Sequence, residues 1–158
     1  MASGDARVVA DDLAFPNGLV ITPDGRTLVV AETLAARLTA FDIEPDALLT
    51  RRRTWAQFDE RGFEDRLDFE RIAPDGICLD AEGAMWVASP AGSLEVLRVL
   101  QGGEVTHRVK VETRPFAAML GGPGRRTLFV CTSTFDASPT RIGRIESVRV
   151  DVPGAGFP

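Results

Sequence analysis

The chain has 158 residues, about one domain's worth and enough to bury a sizeable core. Its 18 basic and 23 acidic residues leave a net charge of −5, the wrong sign for gripping a phosphate backbone, which argues against nucleic acid as a partner. No run of about 18 apolar residues exists for a membrane span, and the N-terminus MASGDARVVADD lacks the apolar stretch of a signal peptide, so a soluble, cytoplasmic protein is expected.

Helical periodicity is scarce, whereas short apolar or alternating runs bounded by Gly, Pro and Asp recur throughout. In chain order the predicted strands are ARVVA, GLVIT, TLVVAET, RLTAFDI, RTWAQF, GICLD, AMWVAS, LEVLRVL, THRVKV, FAAML, TLFVCTS and RIESVRV. The connections PDGR, DAEG, QGGE and GPGR have turn chemistry, because Gly and Asp tolerate the positive φ of tight hairpins. The fold class expected is all-β.

A larger unit repeats. NGLVITPDGRTLVVAET, DGICLDAEGAMWVASP and FAAMLGGPGRRTLFVCTS each read as an apolar strand, a Gly-containing turn and a second strand ending in Val then a small residue. Those valines, Val30, Val87 and Val130, lie 57 and 43 residues apart, near the roughly 40 to 50 residues of a four-stranded propeller blade. Residues 59–71, DERGFEDRLDFER, break the alternation and account for the longer interval; they read as an exposed excursion with room for a short helix.

Register separates two look-alike motifs. Pro23-Asp24-Gly25 falls between the paired strands of its repeat, where a hairpin turn belongs. Pro16-Asn17-Gly18 instead precedes the first strand, and Pro74-Asp75-Gly76 takes the same place in the next repeat; the third keeps Pro115 but follows it with Phe116 and Ala117. The innermost strand of each blade lines a central channel, so Asn17 and Asp75 are expected to converge there. An amide oxygen and a carboxylate are hard ligands suited to Ca²⁺, Mg²⁺ or Mn²⁺, with Zn²⁺ admissible if water fills open positions. Asn-Gly and Asp-Gly after proline are also common turn formers, so the residues alone leave both readings open.

The other chemistry-bearing residues read as structural. His107, the one histidine, alternates with Thr106 and Arg108 on an outer-type strand; Ser89 and Ser133 have no His or acid partner signalled nearby. Glu32 reads as a solvated carboxylate at a hairpin end, Trp86 as packing between blades, and Arg51, Arg52 and Arg53 as alternating strand residues that need no ligand. Cys78 and Cys131 sit in apolar runs as small hydrophobes and make no disulfide framework, which fits a reducing compartment.

The stretches FPNGLVITPDGRTLVVAET, APDGICLDAEGAMWVAS, GGPGRRTLFVCTS and GRIESVRVDVPGAGFP together resemble the C-terminal part of the gluconolactonase family, which includes senescence marker protein and luciferin-regenerating enzyme. That resemblance implies a six-bladed propeller with one divalent cation, Ca²⁺, Zn²⁺ or Mn²⁺, in its channel, and hydrolysis of sugar lactones and related esters. It implies metal ligation by Asn17 of the PNG motif and Asp75 of the PDG motif, with Asp75 also the candidate to take a proton from a metal-bound water. The family's first metal ligand, a Glu near its N-terminus, and a further channel Asn have no counterpart in this chain. Residues 1–158 are therefore expected to form one propeller domain of about three blades that lacks the N-terminal ones, its open edges favouring self-association. Two functions follow: a metal-dependent lactonase, inactive or weakly active alone, and a non-catalytic propeller fragment that binds a cation or a partner.

Overall fold

The computed structural model describes residues 4–60, 71–134 and 142–156. Three antiparallel sheets follow one another along the chain. The first contains β1 (Pro16–Ile21), β2 (Thr27–Glu32), β3 (Arg37–Ile43) and β4 (Leu49–Gln57), paired in chain order. The second pairs β5 (Ile77–Leu79), β6 (Met85–Ala88), β7 (Glu95–Val99) and β8 (Val105–Lys110) in the same way. The third has β9 (Arg114–Gly121), β10 (Thr127–Ser133) and β11 (Gly143–Arg149). These are consecutive blades of a propeller, each a meander whose first strand is innermost.

Hairpin chemistry sets the short connections. At Pro23-Asp24-Gly25 the Thr22 hydroxyl donates to Asp24 Oδ1 at 2.6 Å, the Arg26 amide donates to the same oxygen at 3.1 Å, and Gly25 takes φ +71°. The second blade repeats the device: Asp80 Oδ1 accepts from the amides of Glu82 and Ala84, and Gly83 sits at φ +80°.

Strand alternation decides which blade each residue faces. Val29, Ala31, Leu38 and Ala40 of the first blade meet Met85, Val87, Leu97 and Val99 of the second in one core. Cys78, Trp86 and Val96 of the second meet Leu120, Leu128 and Val130 of the third in another. Each Val, Leu or Met among them, fully buried, contributes on the order of 1.5–3 kcal/mol, so the inter-blade contacts hold the arc together. Trp86 packs between blades as its sequence context implies.

The valine register holds: Val30 pairs with Leu19, Val87 with Ile77 and Val130 with Ala118. The residue just before each valine, Val29, Trp86 or Phe129, faces forward along the chain of blades. Val29 and Trp86 are buried by the next blade, whereas Phe129 is 40 % exposed beside Met119 at 46 % and Ile145 at 73 %.

Three expectations need correction. ARVVA forms no strand; residues 6–10 belong to an irregular segment along the first blade, interrupted by positive φ at Asp12 and Phe15. Arg52 donates to the carbonyls of Asp11 and Asp12 in that segment, and the amides of Thr33 and Leu34 donate to the carbonyls of Phe15 and Ala14 at its end, so isolated bonds rather than a strand ladder tie it to the blade. Cys131 is exposed, because alternation on β10 turns Leu128, Val130 and Thr132 toward the second blade and Cys131 to the opposite face. Glu32 is buried, as described below. Of the excursion 59–71, residues 61–70 lie outside the described residues; its ends are joined by an Arg71–Asp59 ion pair at 2.8 Å.

Candidate metal centre

The two motifs meet through their backbones. Gly18 donates its amide to the Asp75 carbonyl at 3.1 Å, and Gly76 donates to the Phe116 carbonyl at 2.8 Å. One hydrogen bond thus recurs between successive inner strands, with Asn17, Asp75 and Phe116 in equivalent places. A Cβ on Gly18 would lie 2.6 Å from the Asp75 carbonyl oxygen, and one on Gly76 would lie 2.6 Å from the Ala117 Cα. Neither glycine has positive φ. They are glycines because adjacent backbones pass too closely for a side chain, not because a turn needs them. This resolves the two turn-like motifs: only Pro23-Asp24-Gly25 is a turn.

Local features fix the residues between proline and glycine. β1 carries an irregularity between Pro16, paired with Glu32, and Leu19, paired with Val30. The extra residue falls at Asn17-Gly18, and a bulge of this kind re-aims a side chain. Asn17 is exposed on the edge of the first sheet. Just before the second inner strand Asp75 donates its amide to the Ala88 carbonyl at 2.9 Å, while the Thr33 hydroxyl, itself buried, donates to the Pro74 carbonyl at 2.7 Å. Thr33 therefore clamps the strand that carries Asp75 to the end of the first blade's hairpin.

The Asp75 carboxylate is half-buried, and among the described residues no hydrogen-bond donor or cation reaches it. Burial pushes its pKa up to about 6. An unpaired carboxylate in such a place is a donor in want of a cation, and together with an amide oxygen it suits a hard divalent ion in kind. It does not suffice in number, since among the described residues no three His, Cys, Asp or Glu side chains gather as a metal cluster.

Glu32 is the residue that sequence reasoning misplaced. Its side chain is 0 % exposed and accepts from Arg37 Nε at 2.8 Å, from the Ala14 amide at 2.8 Å and from the Thr39 hydroxyl, with Arg52 at 3.4 Å. Burial acts to raise its pKa, but the bonds from Arg37, Thr39 and the Ala14 backbone outweigh it and bring the group down to about 2. It is a structural anchor adjoining Thr33. Only the spacing of Glu32, Arg37 and Thr39 across the β2–β3 hairpin signals it; Arg52 and Ala14 come from afar. The remaining candidates fall as expected: the buried Ser89 hydroxyl accepts from the Ala73 amide and donates to the Ala91 carbonyl, and His107 lies on the outer strand β8. Arg51 and Arg53 both pair with Asp42.

Residues 1–134 match the family described as SMP-30/Gluconolactonase/LRE-like region. The chain belongs to that family. Within it, the 6-deoxy-6-sulfogluconolactonase of Pseudomonas putida is 29 % identical over 160 residues, an overlap of 97 % of this chain and 52 % of the relative. Regucalcin of Danio rerio is 30 % identical over 127 residues, covering 78 % of this chain and 39 % of its own. Among solved structures, the calcium-binding protein regucalcin from Agrobacterium tumefaciens superposes with a TM-score of 0.73 at 22 % identity, over 97 % of this chain and 52 % of that one. A luciferin-regenerating enzyme gives the same TM-score at 21 % identity and covers 91 % of this chain and 48 % of its own. These superpositions establish the fold. The chain spans about half the length, or less, of the curated relatives it matches. Among the described residues no helix is long and apolar enough to cross a membrane.

Proposed function

We propose that this SMP-30/gluconolactonase-family chain carries half of the active site of a metal-dependent lactonase acting on sugar lactones or related esters. The observation that carries the reading is the equivalent placement of Asn17 and Asp75, each just before a glycine that bonds the next blade, with the Asp75 carboxylate half-buried and, among the described residues, unpartnered. Asn17 Oδ1 and the Asp75 carboxylate would hold a divalent cation, Ca²⁺, Zn²⁺ or Mn²⁺. Such an ion, when bound, supplies Lewis acidity toward a lactone carbonyl and acidifies water.

The chain's own part is positional and basic. Gly18 and Gly76 let the two motif strands close to hydrogen-bonding distance, and Thr33 fixes Pro74, so the carboxylate is presented without a competing partner. Asp75, ionised above about pH 6, is also the candidate to take a proton from a water that attacks the ester carbon. Two protein oxygens leave a six- to eight-coordinate Ca²⁺ mostly hydrated, so affinity and activity of the 158-residue chain are expected to be low. We assign residues 1–158 to one propeller domain that requires further blades for a complete site. Its two free cysteines suit a reducing compartment such as the cytoplasm.

The test is hydrolysis of gluconolactone and of aliphatic lactones with Ca²⁺, Mn²⁺ or Zn²⁺, by the chain alone and by a chain extended with the N-terminal blades of a family member. Weak turnover that rises at least tenfold on extension, and that Asp75→Ala abolishes, supports the reading. Robust turnover by the short chain that is indifferent to Asp75→Ala overturns it.

A second reading is favoured by the exposed forward face of the third blade, where Met119, Phe129 and Ile145 stand open. On that reading the chain is a non-catalytic propeller fragment that binds a cation or associates with a partner or a second copy through this face. Cation binding with no turnover in either form would favour it.

A further inference from the structure

The first and second blades have four strands each, and the third has three among the described residues. Its last strand, β11, is an open edge. Thr134 donates its amide to the Ile142 carbonyl and Val150 donates to the Arg126 carbonyl, so the even-numbered residues of β11 bond β10. Alternation turns the backbone N–H and C=O groups of Gly143, Ile145, Ser147 and Arg149 outward. By strand register Gly143 corresponds to Leu94 of the second blade, whose carbonyl accepts from the Val111 amide where β8 joins its sheet.

The sequence holds a strand of matching place. β8, the fourth strand of the second blade, ends at Lys110, six residues before Phe116; Asp11 lies six residues before Asn17, which is equivalent to Phe116. Residues 6–11, ARVVAD, thus precede the first blade as β8 precedes the third. Val8 in this segment is 81 % exposed, and no strand pairs the segment among the described residues. The segment also meets its own blade as β8 meets the third: just after β8 the Glu112 amide donates to the Glu146 carboxylate, and just after residues 6–11 the Ala14 amide donates to Glu32.

The two open faces are counterparts of an interface already formed within the chain. Cys78, Trp86 and Val96 on the forward face of the second blade pack on Leu120, Leu128 and Val130 of the third. In the same register the forward face of the third blade presents Met119, Phe129 and Ile145, all exposed, and the first blade answers with Ile21, 52 % exposed, Leu28 and Val30.

We propose that two copies of this chain join head to tail, the third blade of each on the first blade of the other, with residues 6–11 of each copy added to β11 of the other as an antiparallel fourth strand. Charge fits the register. β7 pairs Glu95 with Lys110, and the same register sets Arg144 of β11 opposite Asp11 of the second copy, Ile145 opposite Ala10 and Ser147 opposite Val8. Opposite charges again meet at the strand end, although Arg144 also reaches Glu112. The chain superposes on 52 % of the Agrobacterium tumefaciens regucalcin, so two copies amount to one closed propeller, and a head-to-tail contact that closes gives a dimer rather than a filament. The join rests on the open forward face and the β11 edge, and is the same whether or not the chain hydrolyses a lactone.

Sedimentation equilibrium of the 158-residue chain, without metal or lactone, is expected to show a dimer. Asp11→Arg and Arg144→Asp are each expected to weaken it at least tenfold, and the double variant, which restores opposite charges between copies, to recover it. A loss caused by misfolding would not be recovered in this way. Cys131 is exposed on the same face, so cross-linking uses a Cys131→Ser background. There Ala10→Cys combined with Ile145→Cys is expected to give a covalent dimer on a non-reducing gel after mild oxidation, and neither cysteine alone is. A monomer at the highest soluble concentration, a dimer indifferent to the charge reversals or not recovered in the double variant, or a dimer without the cross-link overturns the proposal.

Discussion

Replacing Glu32 by Gln tests how the first blade holds its end of the candidate site. The carboxyl is brought from 4.5 to about 2 in the folded chain, which at full strength corresponds to about 3 kcal/mol of folding free energy. Arg37 and Arg52 are 30 % and 35 % exposed, so water screens part of the attraction and about 2 kcal/mol is the working figure. Because the folded pKa is depressed, the contribution is fully present above about pH 4.5, falls below half by about pH 3 and is gone below about pH 2. Glu32→Gln should therefore unfold at lower urea concentration than the parent at pH 7, with the gap narrowing as pH falls through 4.5 to 3. The measurement is a pair of urea melts at each pH, converted to free energy with a common slope. An equal gap at pH 7 and pH 3, or no gap at pH 7, would refute the reasoning.

Other outcomes follow from the same geometry. Gly76→Ala sets a Cβ 2.6 Å from the Ala117 Cα and should cost about 2–4 kcal/mol, whereas Gly25→Ala, with open space but φ +71°, should cost about 1 kcal/mol; thermal melts that rank them the other way would contradict the close-approach account. Asp75→Ala should abolish divalent-cation binding in calorimetry, while Asp24→Ala should leave it unchanged and only lower the melting temperature slightly, since Asp24 serves the exposed turn. Ile145→Lys, on the exposed forward face, should reduce self-association in sedimentation velocity without lowering stability; unchanged association would move the contact elsewhere.

The hairpins and the blade register were legible because they rest on local chemistry: alternating apolar residues, Asp-Gly turns, and valines at matching strand positions. ARVVA was not, since a strand is defined by its neighbour, and among the described residues no strand pairs with it; Arg7 donates to the Asp46 carbonyl through its side chain instead. Glu32 misled because the hairpin spacing of Arg37 and Thr39 is a weak signal by itself, and the Ala14 amide and Arg52 that complete its surroundings are distant in sequence and silent in any local pattern. The candidate site was half legible. The equivalent placement of Asn17 and Asp75 could be counted from Val30 and Val87, but the reason for Gly18 and Gly76, close passage of two backbones, needs the structure. The role of Thr33 in holding Pro74 needs it as well.

The central claim is that two motifs on consecutive inner strands hold one divalent cation. Titrating Mn²⁺ into the ¹⁵N-labelled chain tests it most directly, because the paramagnetic ion broadens amide signals in its immediate surroundings. The account predicts that the Asn17, Gly18, Asp75 and Gly76 signals broaden first and together, and that Asp75→Ala removes the effect. Broadening centred on exposed acidic turns such as Asp24, or unchanged by Asp75→Ala, would contradict it.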